Sequence, residues 1–215
     1  MMKRIVLMCL LALALPLAAF ADSSVDFQNN DGTLSGALSG TSSGLSLSGS
    51  VLTQVRGFDG MGPIQGTNLG SVSFSTSTAV SSITLGNGDT VTTFAAGGSF
   101  LITGNGSNGV PDGTIFSGTF SKPPVLLGVQ NANGQWQYTL TGSVSGTYEG
   151  HTVFGMTTQL TTNTGLGGFS GSATLGSGDT NITAPTPTVP EPGTLGLLGT
   201  GLIGIAGVLR RKLKV

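Results

Sequence analysis

Residues 22–183 predict an all-β fold, an antiparallel β-sandwich, and three observations carry the prediction. Apolar side chains recur at every second position with Ser and Thr between them. Turns rich in Gly and Asn punctuate these runs, and no stretch of the region has a 3.6-residue period. Alternation of this kind buries one side of a strand and leaves the hydroxyl side in water.

The strands follow in order from the pattern. Leu45, Leu47 and Val51 form the first alternating set, then Val72 with Phe74, Ile83 with Leu85, Phe100 with Ile102, and Trp136, Tyr138, Leu140 and Val144. Between them, GNGD (86–89), GNGSNG (104–109), NANG (131–134) and GSGD (176–179) supply residues that accept positive φ, the signature of hairpin turns. Disorder is the competing reading for a chain dominated by Gly, Ser, Thr and Asn. It normally couples low hydrophobicity to high charge, whereas only 8% of this chain is charged and aromatic residues run along its length.

Four short segments echo one another in the same order. DGTLSG (31–36) matches DGTIFSG (112–118), LSGSV (47–51) matches LTGSV (140–144), TNLGSVSFS (67–75) matches TNTGLGGFS (162–170), and SITLGNGDTVTT (82–93) matches SATLGSGDTNIT (172–183). Preserved order predicts an internal duplication, with repeats at 27–93 and 108–183. The two halves could each supply one sheet of a single sandwich or stand as two lobes. One sandwich is the preferred form, because about 70–75 residues without disulfides make a marginal core.

The ends of the chain are of different character. Lys3 and Arg4 precede an apolar run broken by Pro16, and Ala19-Phe20-Ala21 offers the small residues of a signal-peptidase site, so residues 1–21 read as a signal peptide cleaved after Ala21. Cys9 is the only cysteine and falls within it, which removes disulfides and thiolate metal sites from the mature chain. Residues 184–193 form a proline-rich linker that enforces extended backbone. Residues 194–209 are free of charge and read as a transmembrane helix; at about 1.5 Å per residue they are short for a bilayer core of about 30 Å. Arg210, Arg211, Lys212 and Lys214, in the basic tail 210–215, can snorkel to cover the difference, stop transfer and stay cytoplasmic. Gly196, Thr200 and Gly204 would place small residues on one side of that helix.

Several classes of chemistry are disfavoured. Between residues 22 and 188 the only basic residues are Arg56 and Lys122 against eight acidic ones, so no patch exists to neutralise nucleic-acid phosphates. The string Gly40-Thr41-Ser42-Ser43-Gly44 has the hydrolase-elbow pattern without its strand and helix, and in a chain with 37 glycines about one such match arises by chance. The two Gly-x-Gly-x-x-Gly strings (104–109 and 199–204) lack a βαβ setting. His151, the sole histidine, reads as a residue entering a strand after a turn. Asp89 and Asp179 are equivalent in the proposed repeat and read as turn residues, with calcium binding the lesser alternative. Asn105 and Asn181 begin Asn-x-Ser/Thr sequons in turns or near the linker. No motif calls for a metal or cofactor, and the chain reads as a non-enzyme.

Val189-Pro190-Glu191-Pro192, a glycine-rich apolar stretch and an Arg-Arg-Lys terminus resemble the PEP-CTERM sorting signal of Gram-negative bacteria. The resemblance implies recognition by exosortase, a membrane-embedded enzyme acting at or near the Pro-Glu-Pro motif, and release or transfer to the cell surface, often beside exopolysaccharide production. It implies an exported protein held first in the inner membrane with its β-domain outside the cytoplasm. A structural component of the surface or exopolysaccharide matrix is the leading expectation. A carbohydrate-binding or adhesive module follows, and a secreted hydrolase using His151 and Ser42 is a distant third.

Overall fold

A computed structural model of the chain describes residues 24–37, 44–58, 62–162, 170–183 and Gly201. The chain falls into two units, Met1–Pro185 and Thr186–Val215. In the second only Gly201 is described, and it is helical. Among the described residues no helix is long and apolar enough to cross a membrane. The expected signal peptide, linker, membrane helix and basic tail lie outside the described residues, Gly201 excepted.

The described residues of the first unit form twelve strands: β1 Ser24–Asn30, β2 Thr33–Ala37, β3 Ser46–Arg56, β4 Ile64–Ser75, β5 Ala79–Thr84, β6 Thr90–Phe94, β7 Gly97–Asn105, β8 Asp112–Phe120, β9 Val125–Gln130, β10 Trp136–Tyr148, β11 His151–Thr161 and β12 Ser170–Thr183. Every pairing is antiparallel. The all-β, antiparallel expectation therefore holds.

Many of these strands are halves of longer ones. β2 continues on β3 in the register of the end of β1, since Asn30 faces Val51 and Thr33 faces Ser48. Asp31 and Gly32, both at positive φ (55° and 90°), make the kink between them, and a side chain on Gly32 would strike the Ser50 backbone. By the same continuity β4 runs into β5, β6 into β7 and β8 into β9. Twelve strands thus reduce to eight paths, each antiparallel to the next, and the last path, β12, returns to pair β1 and β2. The ladder closes on itself. Instead of two separate sheets, the pairing draws one continuous up-and-down ring of the kind that leaves no free edge.

Three of the paths outgrow the ring. β5, β6 and β9 project past it as a three-stranded lip, with β9 on β10, β6 on β9 and β5 on β6. β3 begins at Ser46, opposite Ser75, so among the described residues nothing pairs the outer side of β5. Where β8 meets β10, Gly118 and Gly146 face each other, and a Cβ on either would collide with a carbonyl of the neighbouring strand. Paired glycines let the wall turn sharply there.

Inward side chains fill the ring, as an eight-stranded barrel requires. On the β4, β7 and β8 side they are aromatic: Phe74 stacks on Phe100 at 5.8 Å, and Phe116 and Phe120 meet Phe100 edge-on at 6.1 and 5.9 Å. Each such burial contributes about 1.5–3 kcal/mol, with about 0.5–1.5 more for each aromatic pair. On the β1, β11 and β12 side a buried polar network sits among apolar residues such as Phe27, Val153 and Ile182. Asn29 donates Nδ2 to Ser50 Oγ (2.8 Å) and Gln159 Oε1 (2.9 Å), Gln159 donates to Thr157 Oγ1 (2.8 Å), and Thr157 and Thr180 share a hydroxyl contact of 2.9 Å. A side chain at Gly178 would run into both amides, so the glycine makes room for the network. Outward residues of the wall are mainly Ser, Thr and Gly, the reverse of the apolar-out alternation of transmembrane barrels.

The repeat segments divide. DGTLSG lies on the first path of the ring and DGTIFSG on the fifth, with Gly32 and Gly113 both at positive φ (90° and 98°); LSGSV and LTGSV lie on the second and sixth. The last pair takes two different structures, since 82–93 is the β5–β6 hairpin and 172–183 an uninterrupted part of β12. TNLGSVSFS lies within β4, and most of its partner is outside the described residues.

Candidate functional site

The residues expected to be read by a sorting enzyme, Val189, Pro190, Glu191 and Pro192, lie outside the described residues, as do Ala19, Ala21, Arg210, Arg211, Lys212, Lys214 and Ser42. His151 opens β11 directly after the Glu149–Gly150 turn, opposite Tyr148, and is exposed. Asp89 sits in the expected turn, its backbone N–H bound to Asn87 Oδ1 at 3.2 Å. Asp179 does not. GSGD lies inside β12, where Gln28 of β1 and Thr158 of β11 pair on either side of Asp179. Asn181 lies in β12, two residues before its end at Thr183, whereas Asn105 ends β7 and donates to the Asn68 carbonyl at 3.0 Å. No group of three or more His, Cys, Asp or Glu residues that could hold a metal ion occurs among the described residues.

The displacement of Asp179 into the wall builds a feature that periodicity did not anticipate. Directly opposed residues in antiparallel strands point to the same side. Following the register across the outer wall gives one row of Thr158, Asp179, Gln28, Gln54 and Gln65, carried by β11, β12, β1, β3 and β4 in turn. Two residues along, a second row reads Met156, Asn181, Asp26 and Arg56. With strands about 4.8 Å apart, the first row is about 19 Å long.

Two irregularities hollow the wall at the β3 end of these rows. Thr53 is an extra residue in β3 relative to β1, and its hydroxyl donates to the Gln28 carbonyl at 3.2 Å. Opposite it, β4 bulges through Gly66, Thr67, Asn68 and Leu69. The result is an open groove of about 470 Å³ lined by Gln28, Thr53, Gln54, Gln65, Gly66 and Thr67. Gln54 is only 5% exposed, and its Nε2 has no hydrogen-bond partner. Asp26 Oδ1, beside the groove, is also buried without one. Burial, followed by the charge of Asp179 and a hydrogen bond to it, pushes the Asp26 carboxyl up from 3.8 to about 6, while Arg56 pulls it down. Met156, at the β11 end of the second row, and Phe154, two residues along, stand 56% and 63% exposed.

The arrangement offers amide donors and acceptors, a carboxyl of raised pKa, one guanidinium and an apolar flank on an open surface. It holds no paired nucleophile and base. Sequence reasoning missed it because Gln28, Gln54 and Gln65 carry no motif; the pairing of β1 with β3 and of β3 with β4 aligns them, and that of β1 with β12 extends the row to Asp179.

Residues 188–212 match the family model described as the PEP-CTERM protein-sorting motif. The chain therefore carries that motif, which marks an exported protein sorted by exosortase. No curated protein and no solved structure matches the chain.

Proposed function

We propose that this chain, bearing a PEP-CTERM motif, is a structural component of the cell surface or exopolysaccharide matrix, delivered there by exosortase processing and without catalysis of its own. The single observation that carries the reading is the motif at 188–212. Pro190 and Pro192 would hold Glu191 in extended backbone, which suits capture in an enzyme cleft. Residues 194–209 would tether the chain in the inner membrane, and Arg210, Arg211, Lys212 and Lys214 would fix its orientation while processing occurs. Signal-peptide removal after Ala21 would start the mature chain at Asp22. An inward-filled ring with a hydroxyl-rich exterior suits a durable surface module.

Intact-mass spectrometry of the protein from its native host tests the proposal. The expected species begins at Asp22 and ends near the Pro-Glu-Pro segment, and scrambling Val189 to Pro192 abolishes the second cut. Unaltered maturation and destination of the scrambled chain would defeat the reading.

A further inference from the structure

We propose that the two cross-strand rows on the outer wall form a binding strip for an extended, neutral polysaccharide, with Gln28, Gln54 and Gln65 as its hydrogen-bonding floor. The inference deepens the surface role proposed above by naming what the barrel holds there.

Four features select this ligand class. Each glutamine amide presents two donors beside an acceptor, the complement of a pair of neighbouring hydroxyls that can each give and take a hydrogen bond. Gln54 lines the groove with its Nε2 buried and without a partner, a state that costs about 1–3 kcal/mol and that a ligand hydroxyl would relieve once the amide turns toward it. Phe154 and Met156 give the strip an exposed apolar flank on which the C–H side of a sugar ring can rest. The row crosses five strands, a length that fits a chain of several rings and not one.

The same features disfavour other partners. Asp26 and Asp179 outnumber Arg56, so the strip repels polyanions, nucleic acid among them. A peptide adding as a strand needs an open edge, and β1, β3 and β12 are paired on both sides.

Isothermal titration of the full chain in detergent tests the proposal with named probes: cellohexaose, laminarihexaose, maltohexaose and mannohexaose, with hexagalacturonate as the anionic arm. At least one neutral hexasaccharide is expected to bind with a Kd between roughly 10 μM and 1 mM, and hexagalacturonate at least about tenfold more weakly. Gln65→Ala should weaken binding about fivefold to tenfold. Gln54→Met should weaken it at least about tenfold while leaving the thermal midpoint unchanged or raised, because it removes an unpaired amide. A merely structural Gln54 would instead lose stability on that change. Failure of all four neutral sugars, or binding that survives both substitutions, overturns the strip. Either result is independent of C-terminal processing, so the sorting reading stands or falls on the mass measurement alone.

Discussion

The ring and the lip are made from the same strands, yet they solve the edge problem in opposite ways. β4, β6–β7, β8 and β10 are covered on both sides where they pass through the ring. A few residues further along, β4 becomes β5, loses its partner and exposes Val80 (61%) and Ile83 (55%). Ile83, Val91 and Leu127 form an outward apolar row across the lip, where the ring wall shows Ser and Thr. Alternation alone does not set exposure. What matters is which face is covered: Thr92, Phe94 and Leu126 of the lip are buried, and the row of Ile83, Val91 and Leu127 points the other way.

Substitutions can break or sharpen that contrast, and the largest effect is expected in the aromatic half of the ring. Phe100→Ala removes the ring that touches Phe74, Phe116 and Phe120 and should lower stability by about 3–5 kcal/mol, read by chemical denaturation. Gln159→Ala removes the amide that bonds Asn29 and Thr157 in the polar network, leaving Asn29 only its Ser50 contact, and should cost about 1–3 kcal/mol in the same assay. If both losses were small, the closed ring would not be the cooperative unit.

A smaller effect, of opposite sign, is expected on the outer wall. The folded state raises the Asp26 pKa to about 6, mainly through burial, so protonation favours folding. That contribution is full below pH 3.8 and disappears as pH rises through 6. Asp26→Asn should therefore raise stability at pH 7 by about 1 kcal/mol after allowance for solvent screening, and should flatten the change between these values. A variant less stable than the parent at pH 7 would contradict this assignment. The smallest effect belongs to the lip, where Ile83→Ser should shift stability by no more than about 0.5 kcal/mol. A loss like that of Phe100→Ala would mean that the lip is part of the core.

Much of the wall was legible in the sequence because its determinants are local. Phe74, Phe100, Ile102, Tyr138 and Leu140 alternate as expected and point inward, and GNGD at 86–89 and NANG at 131–134 turn the chain where glycine and asparagine predict. Local reasoning failed where geometry intervened. Gly49, at a φ of 69°, sits in a register shift that turns Ser50 and Leu52 inward and Val51 outward. Ile83 and Leu85 alternate as core residues do but lie at the unpaired end of the lip. GSGD at 176–179 has turn composition and forms strand, since β1 and β11 supply partners on both sides. The amide row was invisible because its glutamines carry no motif and meet only through the β1–β3 and β3–β4 pairings, with Asp179 and Thr158 added by ring closure.

That closure sets a condition on biogenesis. Ser24 pairs with Thr183, so the first strand made waits for the last before its second side is covered. Contacts between residues so distant form slowly and only after a large loss of chain entropy. A chain halted during translocation before β12 emerged would carry two raw edges, on β1 and β11, and would be prone to cling to its neighbours. The sorting segment lies a few residues beyond β12, so a chain presented for sorting has already delivered the strand that seals the barrel.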